Sequence, residues 1–472
     1  MPPKSNSKRM NVRLRSPAAV VLIAAVAIRA GVIWGVPGGF AEDIDGYAAV
    51  ADNLVRHGVF GYGERATAFR PPLYPILLAG VRATGLSWIW GAGSLHLILG
   101  VATVALAISL ARRLGLGGGA WLAGLLTACD PLLLFHSRLL MTETLSAALV
   151  TAAAWTAAEA ERRDSAVAWL CAGVLLGWNA LARPTFLAWI PVALVVIVLA
   201  CPGTGTAGSP SGAGRGHWGW LAGGSLDRRA WRRAFLAALG AAAVLLPWGM
   251  RNAVIFGSPV FGTTHGGYTL YLANNPDYYA YLLAPGRRGV WDAAEFNRRW
   301  EGELRAAGVE GEPAADRLAY ALAWRTIAAQ PGTFFRACWG RLASFWGVLP
   351  NAGDGDGAPF RRRARYAVAG FYALEMLAAV GGLWAILRGR RARLPNVDAG
   401  ERTPCPACRP SQKIALGWMV SAIVVLTLVH VFYWTNLRMR APVMPGVAVL
   451  AAAGIAAAWR RWSRKGRRVS PR

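Results

Sequence analysis

The composition of this chain is that of an integral membrane protein. Its 472 residues are 55% hydrophobic and 16% charged, with a net charge of +27, whereas soluble proteins carry about 25% charged residues. This composition excludes intrinsic disorder, a collagen-like repeat and a small disulfide-stapled scaffold.

Ten apolar windows are long enough to cross a hydrocarbon core, which needs about 20 residues per helix. They lie near 17–37, 91–111, 119–136, 139–158, 165–182, 184–202, 234–255, 366–387, 414–434 and 441–460. The first window is too long for a signal peptide, so we expect a retained anchor. We predict an all-α bundle of about ten transmembrane helices with amphipathic helices, such as 331–350, and a small loop domain on the outer side. The membrane module covers 1–255, the outer region 256–365 and the C-terminal helices 366–472.

Positive residues orient this bundle, because loops rich in arginine and lysine stay in the cytoplasm. If ten spans alternate, the basic segments fall on one side: the N-terminus, the loops near 112–113, 162–163 and 203–233, the segment 388–413 and the C-terminal tail. We therefore predict a plasma-membrane protein with both termini in the cytoplasm. The charge is explained by topology and anionic lipids, and no nucleic-acid recognition fold is visible.

The first outer loop, 38–90, begins with two carboxylates, Asp43 and Asp45, directly after the first span. The following residues, 45–58, have helical spacing of apolar side chains, and this helix should end at Gly58. The RPPLYP run fixes the backbone after Arg70 and should aim that side chain in one direction. Two interpretations of the acids stay open: they favour a helix N-terminus through its dipole, or they perform chemistry.

A third acid, Glu143, follows SRLLMT at the outer membrane boundary. Ionisable groups at that depth are costly and usually face a cavity or a partner. Arg138 and Arg183 are both candidate partners, and a structural ion pair between two helices is the alternative to a functional role. Arg29 lies inside the first span and should point into a polar cavity or toward an anionic head group.

Two later outer segments are also polar. One contains His265 and, in YLANNP, Asn275, and the other is the LRMRAPVMP turn with Arg438 and Arg440. Because short outer loops normally avoid arginine, we expect this arginine pair to bind an anionic ligand. Contact with lipid head groups without catalysis is the alternative.

The cysteines are less informative. Cys405 and Cys408 form a lone CxxC in a predicted cytoplasmic loop, which is half of a zinc knuckle. Zinc would need a second pair, so two reduced thiols are the simpler interpretation.

In their order along the chain, these motifs resemble a known pattern. The first-loop acid is followed by RPPLYP, SRLLMTETL, ALARPT, PWGMRNAVIFGSP, YLANNP and LRMRAPVMP. This order is similar to that of the GT-C superfamily of polytopic glycosyltransferases, in the branch of the dolichyl-phosphate-mannose protein mannosyltransferases, aminoarabinose transferases and RgtA/B/C/D-type enzymes. The resemblance extends over about 17–460, although the sequence lacks the large inserted luminal domain of the protein mannosyltransferases and has Asp43-Ile44-Asp45 instead of their Asp-Glu pair.

The resemblance implies inverting transfer of a sugar from a polyprenyl-phosphate donor to a hydroxyl of a glycan, lipid or protein on the outer membrane face. Asp43 would be the general base, with Asp45 as its alternative, and Glu143 would assist the base or contact the acceptor or a metal. The donor phosphate would be bound by Arg70, Arg183, Arg438 and Arg440, and the donor sugar or a metal by His265 and Asn275. A divalent cation stays open as a cofactor.

Two other classes of function compete with the transferase. A flippase or transporter for a lipid-linked sugar would use the same outer arginines, but it should show repeat symmetry and ionisable residues at the membrane midplane. Neither feature is clear in the sequence. A non-catalytic scaffold would have no need for Asp43, Glu143 and Arg70 together, so the sequence favours the transferase.

Overall fold

The computed structural model describes residues 17–36, 38–200, 228–284, 291–350, 359–388 and 408–468. Several predicted features lie wholly or largely outside these ranges: the basic N-terminal segment, the loop 203–233, the segment 388–413 and, within it, Cys405, the first member of the CxxC pair. The sidedness of the N-terminus and the state of that pair therefore stay predictions.

The described chain is almost entirely helical, as predicted. Its helices are α1 (Pro17–Gly35), α2 (Tyr47–His57), α3 (Leu73–Ala83), α4 (Trp88–Arg113), α5 (Trp121–Cys129), α6 (Pro131–His136), α7 (Glu143–Arg163), α8 (Ala166–Ala182), α9 (Trp189–Ala200), α10 (Arg228–Phe256), α11 (Gly266–Ala273), α12 (Pro276–Leu283), α13 (Ala294–Ala306), α14 (Glu312–Ala329), α15 (Pro331–Trp346), α16 (Pro359–Leu387), α17 (Cys408–Phe432) and α18 (Met444–Arg468). Short 3₁₀ segments cover Gly117–Ala120, Pro184–Ala188 and Leu437–Val443. The two strands of the described chain, β1 (Gly61–Tyr62) and β2 (Arg65–Ala66), form one antiparallel hairpin.

The chain is a multi-pass membrane protein. Among the described residues, six helical segments are long and apolar enough to cross a membrane: α1, α4, α10, α16, α17 and the segment Leu437–Ser463 that contains most of α18. The four other predicted spans correspond to the α5–α6 pair, α7, α8 and α9, which are shorter or less apolar. The total of ten crossings stays a prediction.

One predicted span, 119–136, is broken at Asp130. This residue is 1% exposed, and its backbone leaves the helical region (ψ 118°) between α5 and α6. Pro131 explains the break, because proline has no N–H and disfavours helical geometry in the residue before it. The Asp130 carboxylate accepts hydrogen bonds from the N–H of Leu133 (2.9 Å) and the hydroxyl of Tyr372 in α16 (3.0 Å). The third predicted span therefore consists of two helices, and Tyr372 of α16 hydrogen-bonds to the residue between them.

Close helix packing fixes the position of α8. At Gly173, a Cβ atom would lie 1.9 Å from the carbonyl oxygen of Ala237 in α10, so a larger residue would force the two helices apart. Small residues at such crossings allow membrane helices to approach closely, where dispersion and backbone contacts replace the hydrophobic effect. α7 packs against the other side of α8 and also against α4 and α17. These contacts hold the ends of α7 and α8 that carry two of the predicted site residues.

The first outer loop folds into α2, the hairpin and α3. The predicted helix is confirmed: Tyr47 and Ala51 face the core, and α2 ends where Gly58 takes a left-handed conformation (φ 68°). The side-chain amide of Asn53 donates to the carbonyl oxygens of Val59 (2.9 Å) and Gly63 (3.0 Å), which anchors the hairpin to α2. The hairpin returns the chain to the segment that carries Arg70.

The outer region between the predicted boundaries 256 and 365 contains α11 to α15, and α14 packs on α11. α15 is amphipathic, as its sequence predicts. Its inner face buries Phe334 and Ala337, whereas Phe335 and Trp339 are 70% and 73% exposed. Exposed aromatic rings on a surface helix are typical of a helix that lies on a membrane leaflet. The domain boundaries themselves stay predictions.

Candidate functional site

The two ends of α7 define the two ends of the bundle. Its 21 residues span about 30 Å, which is the thickness of a hydrocarbon core. At the C-terminal end, Arg113 of α4 pairs with Glu159, and Arg233 of α10 pairs with Glu161. Arginines from three of the loops predicted to be cytoplasmic therefore gather at this end. The predicted acidic site lies at the other end, where α7 begins.

Glu143 is the first residue of α7 and is completely buried. Its Oε1 atom accepts hydrogen bonds from Nη1 of Arg183 (3.0 Å) and from Nε of Arg438 (2.6 Å). Its Oε2 atom is also buried but has no hydrogen-bond partner within the described ranges. A buried carboxylate is tolerated when paired and hydrogen-bonded, so the two arginines stabilise the charge while one oxygen keeps its lone pairs.

The position of Arg183 follows from the proline after it. Pro184 disfavours helical geometry at the preceding residue, and Arg183 is extended (φ −147°, ψ 112°) at the end of α8. Its side chain therefore leaves the helix axis and reaches Glu143. Of the two partners that the sequence offers for Glu143, the structure has Arg183, whereas the guanidinium of Arg138 lies over the ring of Phe135 (5.3 Å).

Arg438 joins two acids that are far apart in sequence. The side chain of Asn436 accepts a hydrogen bond from the Arg438 N–H (3.0 Å) and starts the 3₁₀ segment between α17 and α18. From there, Nε of Arg438 donates to Glu143, and Nη2 donates to Oδ2 of Asp45 (2.8 Å). The structure thus brings residues from four predicted motifs into one chain of ion pairs, Asp45–Arg438–Glu143–Arg183.

Asp43 has one fixed and one uncommitted oxygen. Its Oδ2 accepts a hydrogen bond from the N–H of Ala49 in the first turns of α2 (2.9 Å), which is the helix-terminus role that the sequence left open. The left-handed turn at Gly46 (φ 70°) lets the chain fold back for this contact. Oδ1 is buried and finds no hydrogen-bond partner in the part of the chain that is described.

Arg70 lies next to this group of acids. Its guanidinium is 5.1 Å from the ring centre of Phe69 and 5.8 Å from that of Tyr47, within the range of cation–π attraction. Burial, followed by the negative charge of Asp45, raises the pKa of Tyr47 to about 12. The Tyr47 hydroxyl is therefore protonated at neutral pH and can donate a hydrogen bond beside Asp45.

His265 reaches the same region through aromatic contacts. Its ring centre is 4.2 Å from that of Phe69, edge to face, and its other side stacks on Tyr268 (5.1 Å). Burial and the positive charge of Arg70 lower the pKa of His265 to about 3. The imidazole is therefore neutral at physiological pH and can act as a hydrogen-bond donor or acceptor.

Asn275 and Arg440 make their contacts elsewhere. Asn275 caps α12, since its Oδ1 accepts the Tyr278 N–H (2.8 Å) and its Nδ2 donates to carbonyl oxygens at the end of α11. Arg440 donates to the carbonyl oxygens of Phe345 (3.0 Å) and Gly347 (2.6 Å) and lies over the ring of Tyr372. In the described part of the chain neither residue is hydrogen-bonded to the ion-pair chain, and their roles in donor binding stay predictions.

Arg29 is likewise internal. It is 1% exposed and donates to the carbonyl oxygen of Thr127 in α5 (3.4 Å). The side chain therefore points into the protein, beside the Thr127 carbonyl oxygen, and not toward the surface.

Sequence reasoning missed Glu312. Its Oε1 accepts a hydrogen bond from the Thr67 hydroxyl (2.5 Å), and its Oε2 accepts from the Ala68 N–H and the Thr264 hydroxyl (both 2.8 Å). Glu312 thereby connects the residues before Phe69 to the residue before His265. Its sequence context, glycine followed by Glu-Pro, indicates only a helix start, and α14 does begin there.

The chain is similar to one protein family in sequence and to several solved structures in fold. Residues 69–210 match the family model of the dolichyl-phosphate-mannose-protein mannosyltransferases. This segment includes Arg70, Glu143 and Arg183 and amounts to less than half of the chain. No curated protein matches the chain significantly in sequence.

Among solved structures, the chain is similar to the oligosaccharyltransferase of Archaeoglobus fulgidus in its apo form, with a TM-score of 0.50 and 15% identity over 96% of this chain and 52% of that one. The same enzyme tethered to an acceptor peptide gives a TM-score of 0.50 and 15% identity over 95% and 50%. ArnT from Cupriavidus metallidurans bound to undecaprenyl phosphate gives 0.40 and 16% over 96% and 78%. The chain thus spans about half the length of the oligosaccharyltransferases it matches.

At such low identity these likenesses concern the fold. The described chain is similar in fold to the oligosaccharyltransferase structures, in agreement with the GT-C resemblance that the order of its motifs shows.

Proposed function

We propose that this chain is a membrane glycosyltransferase that moves a sugar from a polyprenyl-phosphate donor to an acceptor hydroxyl. The observation that carries this proposal is the acid–arginine cluster at the start of α7. There Asp45, Arg438, Glu143 and Arg183 form one buried ion-pair chain, with Asp43 beginning the same outer loop. The matched family, named for dolichyl-phosphate-mannose, supports a lipid-phosphate donor.

The uncommitted oxygen of Asp43 supports its role as the general base. An acceptor hydroxyl is a poor nucleophile at neutral pH and gains from a carboxylate that removes its proton as it attacks. Oδ1 of Asp43 accepts no hydrogen bond from the described residues, and its Oδ2 accepts only the Ala49 N–H, whereas Asp45 is ion-paired with Arg438. Asp43 can therefore take up the proton without breaking an ion pair, and Asp45 holds the arginine.

The bond changes follow from these assignments. The acceptor oxygen forms a bond to the anomeric carbon, its proton passes to Asp43, and the bond from that carbon to the phosphate oxygen breaks. The electron pair leaves with the polyprenyl phosphate. Attack from the face opposite the leaving group inverts the anomeric configuration. Glu143 does not touch the reacting atoms in this scheme; it positions Arg183 and Arg438.

Arginine side chains suit the leaving phosphate. A guanidinium donates several N–H groups in a plane and stabilises a phosphate that gains charge as the bond breaks. Nη1 of Arg438 makes no hydrogen bond to any described residue, and its side chain is 23% exposed. Arg438 can therefore donate to a phosphate without releasing either acid, and Arg70 would approach it from the side of Tyr47.

The placement of charge along α7 supports an outward-facing site. Basic loops stay in the cytoplasm, and the paired arginines of α4, α7 and α10 lie at the C-terminal end of α7, one membrane thickness from Glu143. Nucleotide sugars are cytoplasmic, so transfer on the far side requires a sugar already attached to a lipid. We therefore place the reaction at the outer face of the plasma membrane.

The test is sugar transfer by the purified full chain in lipid nanodiscs. A panel of radiolabelled polyprenyl-phosphate sugars is supplied to the native protein and to the Asp43→Asn and Asp45→Asn variants. We expect the native protein to consume one donor and release polyprenyl phosphate, if only by slow hydrolysis. Loss of the general base should lower turnover by about 10²–10⁴-fold in Asp43→Asn, while its donor binding and thermal stability stay native.

Two outcomes would contradict the proposal. If no donor of the panel is consumed while a lipid-linked sugar crosses the bilayer of proteoliposomes, the chain is a flippase. If Asp43→Asn and Asp45→Asn both transfer sugar at the native rate, another group is the base.

A further inference from the structure

The guanidinium of Arg438 lies where two acidic motifs meet. Nε is 2.6 Å from Oε1 of Glu143, and Nη2 is 2.8 Å from Oδ2 of Asp45. The Glu143 side chain is 0% exposed, that of Asp45 is 18% exposed and that of Arg438 is 23% exposed. Two carboxylates drawn together at a poorly hydrated position need a cation between them, because like charges at close range repel strongly.

A divalent metal would find one oxygen of each acid already engaged, with Oε2 of Glu143 and Oδ1 of Asp43 left over. Mg²⁺ or Ca²⁺ requires about six or more oxygen ligands at about 2.0–2.6 Å. Oε1 of Glu143 is already shared by two arginines, Oδ2 of Asp45 is bound to Arg438, and Oδ2 of Asp43 accepts the Ala49 N–H. Among the described residues, no three His, Cys, Asp or Glu side chains form a group that could hold a metal ion.

The residues present therefore do not fit a bound divalent cation. The position that such an ion would bridge is held by a side chain of the protein. Arginine is suited to this place, because its guanidinium is always protonated and its fixed fork of N–H groups can bind two carboxylates at once.

We infer that Arg438 is the resident cation of this site and that sugar transfer by this chain requires no divalent metal. This inference rests on the proposed function for its statement about transfer. Its statement about binding stands on the geometry of Asp45, Arg438 and Glu143 alone. The inference predicts that removal of Arg438 converts the pair of acids into a site that accepts a divalent ion.

Binding of Mn²⁺ tests this prediction directly. The metal-stripped full chain in nanodiscs is titrated with Mn²⁺ alone, and bound ion is counted by electron paramagnetic resonance. We expect no saturable site in the native protein or in Arg438→Lys, which keeps the charge. Arg438→Ala should gain one bound ion per chain, and Arg438→Ala combined with Asp45→Asn should lose it again.

Two results would overturn the inference. One is a saturable Mn²⁺ ion in the native protein that Asp45→Asn removes, and the other is a folded Arg438→Ala variant that gains no ion. If Arg438→Ala does not fold, Arg438→Gln takes its place, because glutamine keeps a donor without the charge. The binding result does not depend on whether any donor is consumed, so its failure is distinguishable from failure of the proposed function.

Turnover provides a second readout once a donor is known. We expect the native protein to keep its full rate after chelation, with no stimulation by added Mn²⁺ or Mg²⁺. A rate that disappears on chelation and returns with either ion would overturn the inference even if the transferase proposal holds.

Discussion

α7 carries a buried glutamate bound to arginines at each of its ends. The two glutamates differ in how many of their carboxylate oxygens accept hydrogen bonds. Near the C-terminus, both oxygens of Glu159 are used: Oε1 by Arg162 and Arg163, and Oε2 by Arg162 and Arg113. At the N-terminus, Glu143 shares one oxygen between two arginines, and the other has no partner in the described chain.

The arginines that bind the two glutamates also differ in their exposure to solvent. The side chains of Arg162 and Arg163 are 47% and 64% exposed, whereas Arg183 is 9% exposed and Arg438 holds a second acid as well. A fully satisfied ion-pair cluster has no capacity left for another molecule, and its partners are screened by water. Unused hydrogen-bonding capacity in a buried cluster marks a place where chemistry can occur, and this distinguishes the two ends of α7.

The largest expected effect comes from neutralising each glutamate in turn. Glu143→Gln keeps the shape of the side chain but releases Arg183 and Arg438 from their common anchor, and removal of such a preorganised charge should lower sugar transfer by about 10²-fold or more. Glu159→Gln, the matched control on the same helix, should transfer sugar at the native rate. Initial rates in nanodiscs measure both. Equal losses in the two variants would mean that Glu143 acts only through the stability of α7.

An intermediate effect is expected from the arginines. Lysine offers a point charge instead of a fork, so Arg183→Lys keeps the charge near Glu143 but loses the second contact of the guanidinium, to Sδ of Met439 (2.9 Å). Sulfur is a weak acceptor, so the cost should be about 1.5 kcal/mol, the low end for hydrogen bonds of charged groups, or about tenfold in rate. Arg163→Lys at the other end of α7 should leave the rate unchanged. A native rate in Arg183→Lys would show that only charge matters there.

The smallest effect concerns stability at the basic end. Arg233 donates to Asp164 (2.7 Å) and holds the pKa of that carboxyl below its usual value. The ion pair therefore contributes stability above the usual pKa of about 3.9, and this contribution disappears as the pH falls through the lower folded value. Asp164→Asn should lower the apparent Tm slightly at neutral pH, because a side chain that is 58% exposed is screened.

The pH dependence separates charge from backbone geometry at Asp164. This residue has a left-handed backbone (φ 48°), which asparagine also tolerates. The Tm difference between the native protein and Asp164→Asn should vanish at acid pH, where the native carboxyl is protonated. A difference that persists there would indicate that the substitution disturbs the turn after α7.

Local sequence patterns predicted the features that depend on neighbouring residues. Hydrophobic periodicity predicted α2, and the boundary between the apolar windows 165–182 and 184–202 predicted the end of α8. The sequence leaves two partners open for Glu143, Arg138 and Arg183. Both lie near the predicted outer boundary, and only helix packing decides between them.

Features that depend on distant residues were not predictable. The sequence predicts that Arg438 and Arg440 bind an anionic ligand, because short outer loops normally avoid arginine. In a 3₁₀ helix with three residues per turn, positions i and i+2 point in different directions, so one reaches Glu143 and the other reaches the carbonyl oxygens of Phe345 and Gly347. The Glu312 contact spans 245 residues to Thr67, and no local pattern carries that information.

The broken helix at Asp130 has a consequence for biosynthesis. Its partner Tyr372 follows 242 residues later, and at about 5–20 residues per second a ribosome needs about 12–48 s to reach it. Until then, α5 and α6 enter the bilayer with the side chain of Asp130 lacking the hydroxyl that completes its hydrogen bonding in the folded protein. The hydrogen bond from Tyr372 forms only when α16 inserts. A nascent chain that stops before α16 therefore keeps an incompletely hydrogen-bonded carboxylate in its third span.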